Sequence, residues 1–110
     1  MKTEQITIFA RTDPYSKAYK STQIEAYTDP AFPGLAVHRG ISYQHDLWYV
    51  THMQSGWLIH GINFDKRRQA VVYARGAAKI TDWTQNAKEI MEQPHIGHKL
   101  TKVYSKAAAV

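Results

Sequence analysis

The sequence predicts an α+β fold: an antiparallel sheet of four to five strands with a central hairpin, one helix packed on the sheet, and a second, C-terminal helix. Three observations predict it. The run LWYVTHMQSGWLIHGINF places two β-rich segments on either side of Gln54-Ser55-Gly56. KRRQAVVYARGAAKI carries its apolar residues at helical spacing. Shorter alternating apolar runs precede both.

In chain order, QITIFAR alternates, with Ile6, Ile8 and Ala10 on one side, and reads as a first strand that Asp13-Pro14 breaks. STQIEAY is a candidate second strand, and the proline-dense TDPAFPG is a loop closed by Gly34. LAVHRGI is strand-like. A three-residue loop, with Gly56 left-handed, closes the 47–62 hairpin. That register puts Trp48, Val50, His52, Leu58, His60 and Ile62 on one face. Tyr49, Thr51, Met53, Trp57 and Ile59 share the other. Both faces are apolar or aromatic, so both are expected to be covered or used.

Asp65 then caps a helix with Ala70, Val71, Tyr73, Ala74, Ala77, Ala78 and Ile80 on its buried arc. Arg68, Arg75 and Lys79 fall together on the opposite side. Gly76, near that polar side, weakens the helix by about 1 kcal/mol relative to alanine. A second helix buries Trp83, Ala87, Ile90 and Met91, with Thr81 or Asp82 as its cap, and Pro94 ends it. The expected organisation is one α+β domain over residues 1–94. Residues 95–110 form a basic, partly ordered extension whose last six residues contribute under about 1 kcal/mol.

At 110 residues, 44% hydrophobic and 21% charged, the chain has the composition of one globular domain. The absence of cysteine excludes disulfides, thiolate metal sites and cysteine nucleophiles. The first twenty residues hold no apolar run of signal-peptide or membrane-span length, so a cytoplasmic protein without membrane partners is expected. The net charge of +5 is concentrated. Lys66, Arg67, Arg68, Arg75 and Lys79 occur with no acid between them, and Lys99, Lys102 and Lys106 follow Pro94, again without one. Such blocks suit phosphate or an acidic protein surface; their plainer reading is solubility.

The HIGH tetrapeptide at 95–98 matches the class I aminoacyl-tRNA synthetases and related nucleotidyl transferases, whose motif opens a helix of a Rossmann sheet. A βαβ unit takes about 30 residues, and only twelve follow His98. A histidine-containing turn is the better reading. No GxSxG, GxGxxG, Walker loop or HExxH occurs, and the nine acids are single, so no catalytic residues are assigned. In the three-residue-loop register His52 and His60 are diagonal neighbours and weak candidates for a metal pair, with His38, His45 or Asp46 as a third ligand. A four-residue loop would separate them. No cofactor is expected.

The strongest constellation is nucleic-acid binding. Arg68, Arg75 and Lys79 would track a phosphate backbone, and Tyr49 and Trp57 would stack on bases if their sheet face is open. The bland alternative is a solvated stripe and core aromatics.

Leu35–Thr84 carries LAVHRGI, then WYVTHMQSGW, then a helix with Arg67-Arg68 and Ala70, closed by TDWTQ. It resembles small uncharacterised proteins of phages and mobile elements of Gram-positive bacteria, over about half the chain. The shared motifs are structural. Proteins of that setting often look like inhibitors of host defence, CRISPR effectors among them. The resemblance thus implies a phage protein with an anti-CRISPR or other anti-defence role in a bacterial host cell, its partner a nucleic acid or host ribonucleoprotein. A sequence-nonspecific nucleic-acid-binding protein is the alternative, and a metal-dependent hydrolase the third reading. The oligomeric state is open, a dimer included.

Overall fold

The computed structural model describes residues 1–11, 15, 17–41, 46–59 and 62–110. Asp13-Pro14, His45 and His60 lie outside the described residues. The fold is α+β, a five-stranded antiparallel sheet with three helices. The strands are β1 (Lys2–Ala10), β2 (Lys20–Thr28), β3 (Leu35–Arg39), β4 (Trp48–His52) and β5 (Trp57–Leu58). They are ordered as a plain meander, β1-β2-β3-β4-β5. The hairpin is therefore not central: β3 is, and β5 ends the series. The sheet curls until β1 returns beside the β4–β5 turn, where Phe9 N–H donates to Gly56 O at 2.9 Å.

The curl gives β3 and β4 two buried faces. Ala36, opposite Thr51, and His38, opposite Tyr49, point into the curl. There a small core of Ile6, Ile8, Ala10, Ala26 and Ala36 is buried. Three of its five members are alanines, which lets facing strands come close. Leu35, Val37 and Val50 point the other way, into a larger core with Phe64, Tyr73 and Trp83.

The β4–β5 loop holds four residues, not three. His52 pairs with Trp57 and Thr51 with Leu58. The loop closes on Gly56, whose φ of +76° is the left-handed geometry expected of it. Gly56 N–H donates to His52 O at 2.9 Å, an i→i+4 bond inside the loop. One added residue exchanges the faces of the second strand. Trp57 shares the face of His52, while Leu58 joins that of Thr51 and Tyr49.

Helix α1 (Arg67–Ala78) covers the outer face of β3 and β4, burying Ala70, Tyr73, Ala74 and Ala77. Its N-cap is Lys66 rather than Asp65, and Lys66 N–H donates to Gln69 Oε1 at 3.2 Å. Asp82 instead holds a turn, accepting from Thr84 N–H and Oγ1. The following helix, α2 (Ala87–Met91), is short and capped by Asn86, which accepts from Glu89 N–H. Trp83 and Ile90 are buried as expected, but Met91 is exposed.

The C-terminal segment is part of the domain. Helix α3 (Ile96–Ala108) packs on α1, with Ile96 and Ala107 buried and Leu100, Val103 and Tyr104 against the same core. No packing boundary falls at residue 94. Gly76 is the contact point: a methyl there would come within 2.6 Å of Val103 Cγ1. Its absent side chain admits α3, so Gly76 is an interface residue rather than a surface weakness.

A candidate nucleic-acid interface on two helices

At 100° per residue, Arg75 and Lys79 lie within about 20° of Arg68, and Lys99, Lys102 and Lys106 within about 60° of one another. All six are exposed. The helices run antiparallel: Gln69, in the first turn of α1, donates to Ala108 O at 3.2 Å and Val110 O at 3.3 Å, at the end of α3. Around α1, passing from buried Tyr73 and Ala77 through Gly76, the next positions are Val72, Lys79 and Arg68. Around α3, passing from Tyr104, tilted against Phe64 at 5.3 Å between ring centroids, through Val103, the next are Lys99, Lys106 and Lys102. Lys79 and Arg68 of α1 and the three lysines of α3 therefore border the solvent side of one groove, with Arg75 one step further round, within reach of Asp29.

Electrostatics sets these cations apart from a neutral solvated surface. Neither helix contains an acid, and none stands in either first turn, where the helix dipole favours one. Arg67 and Arg68 open α1, and Lys99 lies in the opening turns of α3, where the dipole disfavours positive charge. Arg75 and Lys106 sit in last turns, where it favours them. Among the described residues the ion pairs are Met1 N–Asp29 and Lys2–Glu4, and neither involves a cation of these two rows. Arg75 reaches Asp29, whose carboxyl is held below its usual range chiefly by the Ala31 N–H, then by the N-terminal ammonium, with a smaller contribution from Arg75.

Arg67 serves structure: its guanidinium lies 4.9 Å from the Tyr27 ring centroid. Tyr27 packs at 6.2 Å from Trp48, and Arg39 lies 5.0 Å over Trp48. The result is an arginine–aromatic ladder beside the N-terminus of α1.

The structure does not bring Tyr49 and Trp57 together. They occupy opposite faces, and Tyr49 is only 5% exposed, with its ring stacked on His38, so it offers no open face to a base. Trp57 is 46% exposed and packs on Phe9 and Tyr19. It stands at the edge of an apolar hollow of about 290 Å³, walled also by Leu58, Trp83, Ile90, Met91 and Leu100.

His38 and His52 are held by hydrogen bonds. His52 Nε2–H donates to Gln85 O at 2.9 Å, while Nδ1 accepts from the Ser55 hydroxyl at 2.8 Å. That hydroxyl oxygen accepts in turn from Trp57 N–H, which ties the hairpin loop to the segment before α2. His38, 1% exposed, donates from Nδ1 to Arg39 O at 2.8 Å and accepts at Nε2 from the Thr51 hydroxyl at 2.6 Å. Burial lowers its pKa, and the Arg39 carbonyl offsets this only in part. Among the described residues, no three His, Asp or Glu side chains are placed to share a metal ion. The four-residue loop also removes the register on which the His52–His60 pairing depended.

Sequence reasoning identified the α1 row but assigned the three lysines of α3 to a separate extension. Their i, i+3, i+7 spacing beside Leu100, Val103 and Tyr104 was the available signal. No helix among the described residues is long and apolar enough to cross a membrane. Comparison with family models, characterised proteins and solved structures finds no match.

Proposed function

We propose that this chain is a non-catalytic binding protein that engages nucleic acid, free or within a ribonucleoprotein, through the basic face of α1 and α3. The observation that carries this reading is the placement of the cations. Two acid-free helices are packed side by side with their exposed basic rows on one groove. Stability alone disfavours like charges at that density and cations at helix N-termini. A polyanion supplies the missing counter-charge.

The concrete form we propose, on the resemblance of Leu35–Thr84 to phage and mobile-element proteins, is an inhibitor of a host defence complex such as a CRISPR effector, acting in the host cytoplasm. Sequence-nonspecific binding in the service of the element itself is the alternative, supported by the same surface.

Reversing Arg68, Arg75 and Lys79 together to glutamate tests the reading. Binding to nucleic acid should be abolished while the melting curve keeps its cooperativity, because none of the three is buried. Each phosphate contact removed should flatten the log–log salt slope by about 0.7 to 0.9. If a ribonucleoprotein partner is captured, bare RNA or DNA should displace it. A partner that resists such competition and binds the triple variant equally well would refute the phosphate reading.

A further inference from the structure

We infer that the α1–α3 face takes double-stranded rather than single-stranded nucleic acid, an inference that rests on the nucleic-acid reading above. Single-strand sites interleave cations with open aromatic rings, on which successive bases stack. This face has no such Tyr, Trp or Phe ring; its exposed ring is the His98 imidazole, one turn before Lys102 on α3. Tyr73, the aromatic residue of α1, is fully buried, and Tyr104 of α3 packs on Phe64. Tyr104 is itself only partly buried, but it lies on the core side of α3; the partly exposed rings Tyr27 and Trp48 each have a guanidinium over one face, from Arg67 and Arg39. The exposed aromatics Tyr15, Tyr19 and Trp57 belong to the β1–β2 connection and to β5, not to either helix.

Val72 and Val103, between the two rows, offer neither a stacking ring nor a hydrogen bond to a base edge. Affinity then comes chiefly from phosphates, and it follows charge density. A duplex presents one charge per about 1.7 Å of axis, against about 3.4 Å for each strand. The face also presents two rows, about 16 Å long on α1 and about 10 Å on α3. They stand on helices whose packed axes are about 8–10 Å apart. Two parallel rows on a rigid support suit the two phosphate chains that flank a groove. One flexible strand would engage one row at a time.

Fluorescence anisotropy with an end-labelled 16-base-pair duplex, as RNA and as DNA, and with each of its separated strands tests this. At equal phosphate concentration and moderate salt, at least one of the two duplexes should bind about tenfold or more tighter than its strands. Reversal of Lys99, Lys102 and Lys106 to glutamate should weaken duplex binding as much as reversal of the α1 row. Strands that bind as tightly as the duplexes would overturn the inference and leave the nucleic-acid reading standing, more so if Trp57→Ala weakens them. Binding to neither form, by a protein with an intact melting transition, would overturn both.

Discussion

The two faces of β3 and β4 are buried by different means. The face inside the curl is closed by the sheet itself: residues of β1 and β2 reach it through the pairings Ile6–Ile24 and Glu4–Ala26, and its core is small and aliphatic. It also encloses a polar pair, His38 and Thr51, whose bonds are made within the two strands. The outer face is closed by helices, and by parts far along the chain: Phe32 before β3, Trp83 after α1, and Ile96 and Ala107 in α3. One face depends on strand register and the other on docking. Their sensitivities should differ accordingly.

The largest effect is expected where docking allows no adjustment. Gly34 has a φ of +85°, and a methyl there would lie 2.5 Å from the backbone carbon and oxygen of Trp83. Gly34→Ala combines left-handed strain with a clash against main chain, and should cost at least about 3 kcal/mol in denaturant unfolding. A loss below 1 kcal/mol would mean that the β2–β3 turn is not clamped on the α1–α2 connection.

Deletion of Ser105–Val110 comes next. It removes buried Ala107 and the carbonyls that accept from Gln69, and should cost about 1–3 kcal/mol while the strands still pair. A truncated chain as stable as the full one would return α3 to the status of an appendage.

Acid should act on the inner face through His38. Its folded pKa is depressed, so the unfolded chain takes up a proton at about 6.5, where the folded chain does not. Protonation therefore favours unfolding. Stability should be unaffected above that pH and should fall below it, by up to about 1.4 kcal/mol per pH unit, until the folded pKa is reached. A His38→Gln variant should lack that part of the slope; an unchanged pH profile would show that His38 is not its source.

The smallest effect separates packing from bonding on the outer face. The Tyr73 hydroxyl is buried with no hydrogen-bond partner among the described residues, and burial raises its pKa. Tyr73→Phe keeps the ring against Phe64 and should be neutral or stabilising by up to about 1 kcal/mol. Destabilisation would reveal a partner for the hydroxyl.

Much of this was legible in the sequence because local rules decided it. The two-sided apolar hairpin announced two covered faces, the alanine arc announced α1, and the row of Arg68, Arg75 and Lys79 was fixed by helical periodicity once α1 was granted. What escaped was decided by single residues or by distance. A loop of four rather than three exchanged the partners of Trp57 and set it on the face opposite Tyr49, which the curl of the sheet buries. The apolar positions of α3 were visible, but not that Gly76 lacks a side chain so that Val103 can enter. Without that contact the lysines of α3 had no reason to be counted with the cations of α1. Trp57 was read as a base-stacking ring; no local pattern tied it to its neighbours Phe9, in β1, and Tyr19, in the β1–β2 connection.

The contact at Gly76 has a mechanical consequence. By letting α3 lie close on α1, it presses two like-charged rows together, so that completing the fold loads a spring. Dilute salt should leave the spring loaded and α3 the most easily lifted part of the chain. A polyanion laid along the groove would relax it and hold the helix down. On the nucleic-acid reading proposed above, binding and the final locking of α3 would become one event, with the ligand as a clasp on the helix it contacts.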